Sequence, residues 1–362
     1  MDMFEKKSGL ITGLGEIGHF DLEKLPAIEV KNEVVWVNGN VEMPFKFEED
    51  KSSKMGVFLT PEPNEQEPIF HVKVMDNHFR SALLGKVIFR DKEGNLYRDV
   101  DIKGMGPISP PNSNDPFLMV ESVEAGLARN VAKGKTPWGF LDWGFAETDR
   151  DMSEFFIKQG LRTHRALAII RLDEIVVENG EKISVSKARK FGYIKYTTEP
   201  VIEVRAFGTK ARIADAKDQV LSEDAKHMVA QELGKDPYNF SKEDYVQWFA
   251  QTLGKQVAII HNAGFIHGYL TDHNITLDCR IVDLDSVKKI KTNKWLDNKQ
   301  ITKDLQQAIQ SLNWLFQHQN INSGHYKLIN NFFDGYFSNL TAKANAEDKR
   351  NLINLLVDEA FE

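Results

Sequence analysis

The sequence predicts an α+β fold, with strands gathered in the N-terminal half and helices in the C-terminal half. Three observations predict it. Between Pro26 and about Val74, the short β-rich runs IEVKNEVVWV, GVFLT and IFHVKV alternate with turn and charge clusters such as EEDKSSK and TPEPNEQEP. The segment KVIFRDKEGNLYRDVDIKG then reads as a hairpin, with β-runs at Val87 to Arg90 and Tyr97 to Ile102 joined by the turn-forming DKEGN. Beyond Asp215 the apolar residues change to helical spacing.

The remaining elements follow in order. GMGPISPPNSNDP holds too much Gly, Pro and Asn for regular structure. Met152 to Gln159 reads as a short helix ended by Gly160. ALAIIRL, EKISVS and PVIEV are strand-like up to about Val204. Tyr245 to Asn262 carries Trp248, Phe249, Leu253, Val257 and Ile260 on a helical stripe that stops at Ala263-Gly264. Helical patterns return at Lys303 to His318, Tyr326 to Leu340 and Lys349 to Phe361.

Bulk properties bound the function. The 362 residues suffice for two lobes, and 41% hydrophobic with 27% charged residues is an ordinary globular composition. A net charge of -7 argues against a general nucleic-acid binder, which needs a basic surface. The single Cys279 excludes an intramolecular disulfide and a cysteine-based zinc cluster. The N-terminus lacks the apolar core of a signal peptide, and no run approaches the roughly 18 apolar residues of a membrane span. The expectation is a soluble, cytoplasmic protein with no nucleic-acid and no membrane partner.

The chemistry concentrates in HGYLTDHNITLDCRIVDLD, from His267 to Asp285. Two short β-runs around a tight turn bracket Asn274 and Asp283, nine residues apart. Such a hairpin can set an amide oxygen and a carboxylate on one side of a magnesium ion shared with nucleotide phosphates. The competing reading is a surface hairpin, since Asn and Asp are common in turns. The order helix, His-Gly, Asn, hairpin, Asp favours the metal-nucleotide corner of a bilobal protein-kinase-like fold, with a β-rich N-lobe and a helical C-lobe. Lys103, leaving a strand beside Gly104 and Gly106, can reach phosphates as a fixed cation, although a lone strand-end lysine is usually only solvated. Arg205 and Arg212 in EVRAFGTKAR can both fork onto phosphate oxygens or both be surface residues; their spacing does not choose.

Several runs together resemble the selenoprotein O family, kinase-fold enzymes that transfer AMP from ATP to protein hydroxyls. KVIFRDKEGNLYRDVDIKGMGP resembles that family's hairpin leading to KGxGPTP, and SEFFIKQGLRTHRAL is similar to its SEAMxxLGIPTTRAL. VRAFGTKAR keeps its arginine spacing, and VAIIHNAGFIHGYLTDHNITLDCRIVDLD resembles its VAxWQxxGFxHGVxNTDNMSILGLTLDYG. The resemblance covers about Gly85 to Asp285. It implies that Lys103, with Gly104 and Gly106, contacts ATP phosphates, that Arg205 and Arg212 grip them, and that Asn274 and Asp283 hold Mg2+ or Mn2+. It further implies that AMP passes to an unidentified protein substrate.

The chain departs from both patterns at the base. An ordinary kinase carries its catalytic Asp where Tyr269 stands, and selenoprotein O carries one where His273 stands. Asp272 is the provisional base, with His273 as the alternative. The acidic partner of Lys103 is Asp149 by gapless alignment or Glu154 within the predicted helix. The family's C-terminal selenocysteine or cysteine motif is absent. The expected domains are a β-rich extension over 1–75, an N-lobe over 76–213 and a C-lobe over 214–362. GLGEIG at Gly13 to Gly18 lacks the strand-helix frame of a dinucleotide fingerprint. His267 is read as a brace for the loop. TPWGFLDWGF, with Trp138, Phe140, Trp143 and Phe145, is read as an aromatic insertion packed on its own lobe.

Overall fold

The computed structural model describes residues 22–43, 46–60, 69–75, 81–106, 140–177, 180–290, 299–321, 325–341, 352–353 and 356. GLGEIG, TPEPNEQEP, most of GMGPISPPNSNDP and Trp138 lie outside the described residues. So does all of the expected helix Lys349 to Phe361 except Leu352, Ile353 and Leu356, which are helical. The fold is mixed α+β. Its contacts form two compact units, one of Thr12–Arg150 and Arg165–Phe207, the other of Met1–Ile11, Asp151–His164 and Gly208–Glu362.

The first unit is built on an antiparallel sheet of nine strands. They are β1 (Leu22–Glu29), β2 (Asn32–Val37), β3 (Val57–Leu59), β4 (Ile69–Met75), β5 (Ser81–Arg90), β6 (Leu96–Lys103), β7 (Leu141–Asp142), β8 (Arg165–Leu172) and β11 (Pro200–Phe207). Their order is β2-β8-β11-β6-β5-β4-β1-β3, with β7 paired to β11. Strands β1 to β4, expected as an extension, thus share one sheet with the β5–β6 hairpin. That hairpin forms because Asp91 accepts hydrogen bonds from the Asn95 backbone and side chain at 2.8 and 3.0 Å, while Gly94 takes a φ of 87°. Phe89 then pairs with Tyr97 across the strands, their rings stacked at 5.2 Å. A small hairpin, β9 (Glu174–Val176) with β10 (Lys182–Ser184), leads into a short helix that Ser184 caps.

The period-two alternation of the central strands sorts two different faces. Val100 and Ile102 of β6 join Ala168, Ile170, Ile202, Val204 and Ala206 in the main apolar core. The intervening residues Asp99, Asp101 and Lys103 of β6, and Glu203 and Arg205 of β11, share the other face, and all five are buried. Leu141, Ala146, Ile169 and Val201 pack together beside this charged row. Ala146 belongs to helix α1 (Trp143–Lys158), which begins nine residues before the expected Met152. Asp142 causes the early start: its carboxylate accepts the Gly144 N–H at 3.0 Å, where the first turn of a helix lacks partners. The aromatic run is therefore strand and helix, not insertion, with Phe140 buried and Phe145 exposed.

The second unit is helical. With α2 assigned to the short helix Val185–Lys190 of the first unit, it contains α3 (Gln219–Glu232), α4 (Lys242–Asn262), α5 (Lys299–His318) and α6 (His325–Asn339). Ser241 and Asp244 form a capping box at the start of α4, so it begins earlier than the apolar stripe alone predicts. Helices α4 and α6 meet backbone to backbone. A Cβ on Gly254 would lie 1.9 Å from the Phe332 carbonyl oxygen, and one on Gly335 would lie 2.1 Å from that of Gln251. Only glycine at both positions permits this approach.

Candidate functional site

The predicted site residues fall into two sets, one in each unit, and each set is described by itself. In the sheet unit, Lys103 ends β6 with its side chain only 4% exposed, and its Nζ lies 3.9 Å from Asp149 Oδ2 on α1. Of the two acids considered for Lys103, Asp149 is the one at ion-pair distance. Glu154 lies five residues further along the same helix, half-buried and within the other unit.

Arg205 stands opposite Asp101 in the β6–β11 register and donates from Nε and Nη2 to the two Asp101 oxygens at 3.1 and 3.0 Å. Its third nitrogen, Nη1, is 3.6 Å from Asp149 Oδ2. The fork expected on phosphate therefore holds a carboxylate of the protein, and Asp149 faces both cations. Asp101 and Glu203 were missed in the sequence, because acids alternating with apolar residues in a strand read as a solvent-facing row.

Gly104 follows Lys103 at a φ of 102°, where a Cβ would meet the Val201 carbonyl oxygen at 2.5 Å and Leu141 at 2.7 Å. The glycine lets the chain leave β6 against β7 and β11. Gly106 is also buried, next to Met105, which bridges Phe140.

In the helical unit, Asn274 and Asp283 are neighbours because the Val282 N–H donates to the Asn274 carbonyl at 3.0 Å. The expected pair of short strands is instead a set of isolated bridges, Ile275 with Ile281 and Thr276 with Arg212. The reason is a shared partner. Ile213 donates to the Ile275 carbonyl and Leu277 to that of Ala211, so residues 211–213 take the hydrogen bonds a longer hairpin would use. Cys279 makes the turn with a φ of 60°, and burial pushes its thiol pKa far up. It is a packing residue, not a nucleophile.

That turn rests on a buried ionic network. Arg280 donates to Asp278 at 2.6 Å and to the Thr163 carbonyl at 3.0 Å. Arg162 holds Glu232 at 2.7 Å and stands 3.7 Å from Asp278. Burial raises the Asp278 pKa, but the charges of Arg280 and Arg162 and a hydrogen bond from Thr276 outweigh it, so the carboxyl lies below its ordinary value. Gly208 has no Cβ for the same reason: one there would stand 2.1 Å from Asp278.

Asp283 takes left-handed backbone angles, φ 58° and ψ 57°, and its carboxylate is 3.9 Å from Arg212 Nη2. The Arg212 backbone N–H donates to Asp215 at 2.8 Å, fixing the start of a 3-10 turn at Ile213–Asp215. Asn274 donates through Nδ2 to the Tyr269 carbonyl at 2.9 Å, which aims its other amide atom, the oxygen, elsewhere. Asp272 is half-buried, and its carbonyl accepts the Ala214 N–H at 3.2 Å; His273 is exposed.

His267 braces the loop as expected. Its Nε2 contacts the Val282 carbonyl at 3.0 Å, one residue before Asp283. A residue missed in the sequence holds it there: Asp304 on α5 accepts the His267 N–H at 2.6 Å and the Gly268 N–H at 2.7 Å. His261 lies 3.4 Å from the same carboxylate and 2.8 Å from the Tyr336 hydroxyl. Burial raises the Asp304 pKa, but the hydrogen bond and charge of His261, the charge of His267 and the Gly268 N–H together lower it. The available signal was an acid on the apolar face of an amphipathic helix, between Ile301 and Leu305.

No protein-family model matches the chain, and no curated protein does. Among solved structures it is similar to "WaaP in complex with acyl carrier protein", at 14% identity and a TM-score of 0.33. That similarity covers 77% of this chain and 85% of the other.

Proposed function

We propose that the chain is an ATP- and magnesium-dependent protein adenylyltransferase on a bilobal protein-kinase-like fold, as its resemblance to selenoprotein O implies. The observation that carries the proposal is the Asn274–Asp283 corner with Arg212 beside it. An amide oxygen and a partly exposed carboxylate are hard oxygen donors, the set that suits Mg2+ or Mn2+. The neighbouring guanidinium adds a fixed positive charge for phosphate. Bound there, the metal would neutralise phosphate charge.

Within this reading Lys103 binds phosphate oxygens and Asp149 orients its ammonium, while Gly104 and Gly106 keep the backbone close. Arg212 stabilises the charge that grows on the α-phosphate. Arg205 reaches phosphate only by releasing Asp101. The acceptor hydroxyl oxygen of a protein substrate attacks the α-phosphorus, the bond to the bridging oxygen breaks, and pyrophosphate leaves with that electron pair. Asp272 takes the hydroxyl proton, with His273 as the alternative base and Glu154 as the alternative acid for Lys103.

Two other readings use the same residues. With ATP the usual way round, the product is a phosphoprotein or a phosphorylated small molecule. In a nucleotide-binding pseudokinase scaffold neither product forms, and the engagement of Arg205 by Asp101 favours this case. Incubation with α- and γ-labelled ATP, followed by mass spectrometry of labelled protein, separates them. Label from the α-phosphate alone is expected; label from the γ-phosphate alone, or none from either, would overturn the proposal.

A further inference from the structure

The sheet unit carries a second feature, at the turn that closes α2. We infer that this turn is a docking surface for an anionic lipid bilayer. Val185, Ala188 and Ile194 are buried beneath it, which fixes the opposite side of the segment outward. Gly192, at a φ of 74°, reverses the chain, and the Phe191 and Tyr193 N–H groups donate back to the Lys187 and Ala188 carbonyls at 3.0 and 2.9 Å. Phe191 is left 52% exposed and Tyr196 87% exposed.

Cations frame both rings. The Lys187 ammonium is 5.9 Å from the Phe191 centroid, and the Arg189 guanidinium is 6.0 Å from that of Tyr196. Arg189 also donates to the Thr198 carbonyl at 2.7 Å, which holds the returning chain in place. Residues 181–199 contain Lys182, Lys187, Arg189, Lys190 and Lys195 against Glu181 and Glu199, a basic segment in a chain of net charge -7. Glu181 offsets Lys187 at 2.7 Å. The nearby acids Asp173 and Glu174 are turned towards Lys31.

Charge complementarity asks for an anionic partner, and the aromatic rings decide which kind. A ring 87% exposed has no surrounding wall, whereas an aromatic anchor for a peptide sits in a packed, desolvated pocket. A projecting Tyr and Phe flanked by Lys and Arg instead match a bilayer interface, where rings enter the headgroup zone and cations meet lipid phosphates. No helix among the described residues is long and apolar enough to cross a membrane, and a surface contact needs none. The expectation of no membrane partner narrows to the lack of such a helix. None of these residues has a role in the proposed nucleotide chemistry, so the two readings stand or fall separately.

Cosedimentation of the full chain with vesicles tests the inference. Vesicles of phosphatidylcholine containing about one third phosphatidylserine are expected to bind roughly tenfold more tightly than phosphatidylcholine alone, and salt should erode the difference. Lys190→Glu should weaken that binding about fivefold or more. Phe191→Ser with Tyr196→Ser should weaken it at every salt concentration. Unchanged melting temperatures exclude unfolding, and Lys190→Gln carries the charge comparison should Lys190→Glu melt early. Equal binding to both vesicle types, or wild-type binding by the charge and aromatic variants, overturns the proposal. So does a polyglutamate peptide that binds as tightly as the anionic vesicles, which identifies an acidic protein segment as the partner.

Discussion

Lys103 and Asp149 form a buried pair, Nζ to Oδ2 at 3.9 Å, with side chains 4% and 1% exposed. Arg205 approaches the same carboxylate oxygen at 3.6 Å. Two cations in a shielded environment thus depend on one acid, since burial magnifies both the attraction and the cost of losing it.

Removing that acid should damage the fold first. Asp149→Asn is expected to lower stability by about 3 kcal/mol in urea denaturation, because it leaves two buried cations short of charge. Lys103→Met with Asp149→Leu should regain most of the loss, as apolar replacement of a buried pair often does. ATP binding, followed by calorimetry, should not return in the double variant. Its return would remove Lys103 from the nucleotide site.

The metal corner should behave in the opposite way. Asp283 is partly exposed, so Asp283→Ala and Asn274→Ala should change the melting temperature little. Labelling from α-labelled ATP should fall by on the order of a hundredfold in each. Unchanged labelling and unchanged magnesium-dependent nucleotide binding in Asp283→Ala would show that the site is misassigned.

Asp304 gives a pH prediction. Its folded pKa lies below the unfolded value, so folding favours its charged form. The stabilisation is complete above the ordinary carboxylate range and is lost as pH falls below about 4 towards the native pKa. Denaturation measured across this range should show stability declining with acid, and Asp304→Asn should flatten part of the decline. Asp278 contributes in the same direction, so Asp278→Asn serves as the comparison.

Gly254→Ala tests the close helix contact. Alanine is the better helix former by about 1 kcal/mol, yet its methyl group would drive α4 from the Phe332 carbonyl. Net destabilisation of about 1–3 kcal/mol is expected from thermal unfolding. A gain in stability would show that the helices separate without cost.

Much of this architecture is legible in the sequence wherever local chemistry decides it. DKEGN marks the β5–β6 turn because Asp91 and Gly94 supply what the turn needs, and the stripe from Trp248 to Ile260 marks α4. The start of α1 is obscured by Gly144 and its aromatic neighbours, although Asp142 supplies the cap. Longer-range effects are less visible. RDVDIK has the alternation of a half-exposed strand, and only the tertiary packing buries Asp99, Asp101 and Lys103. The residues 274–283 look like a free hairpin until residues 211–213 compete for their hydrogen bonds. Asp304 is 30 residues from Asn274, so spacing within the motif could not reveal its hold on the loop.

The left-handed backbone of Asp283 bears on how this chain would change over generations. A residue with a Cβ enters that region at a cost of about 1 kcal/mol, and glycine enters it freely. Asp283→Gly should therefore leave the fold as stable as before or more so, while deleting the carboxylate. In a lineage that no longer used the corner, random substitution would drift towards glycine here without penalty. An aspartate maintained at this position is held by its use rather than by its comfort.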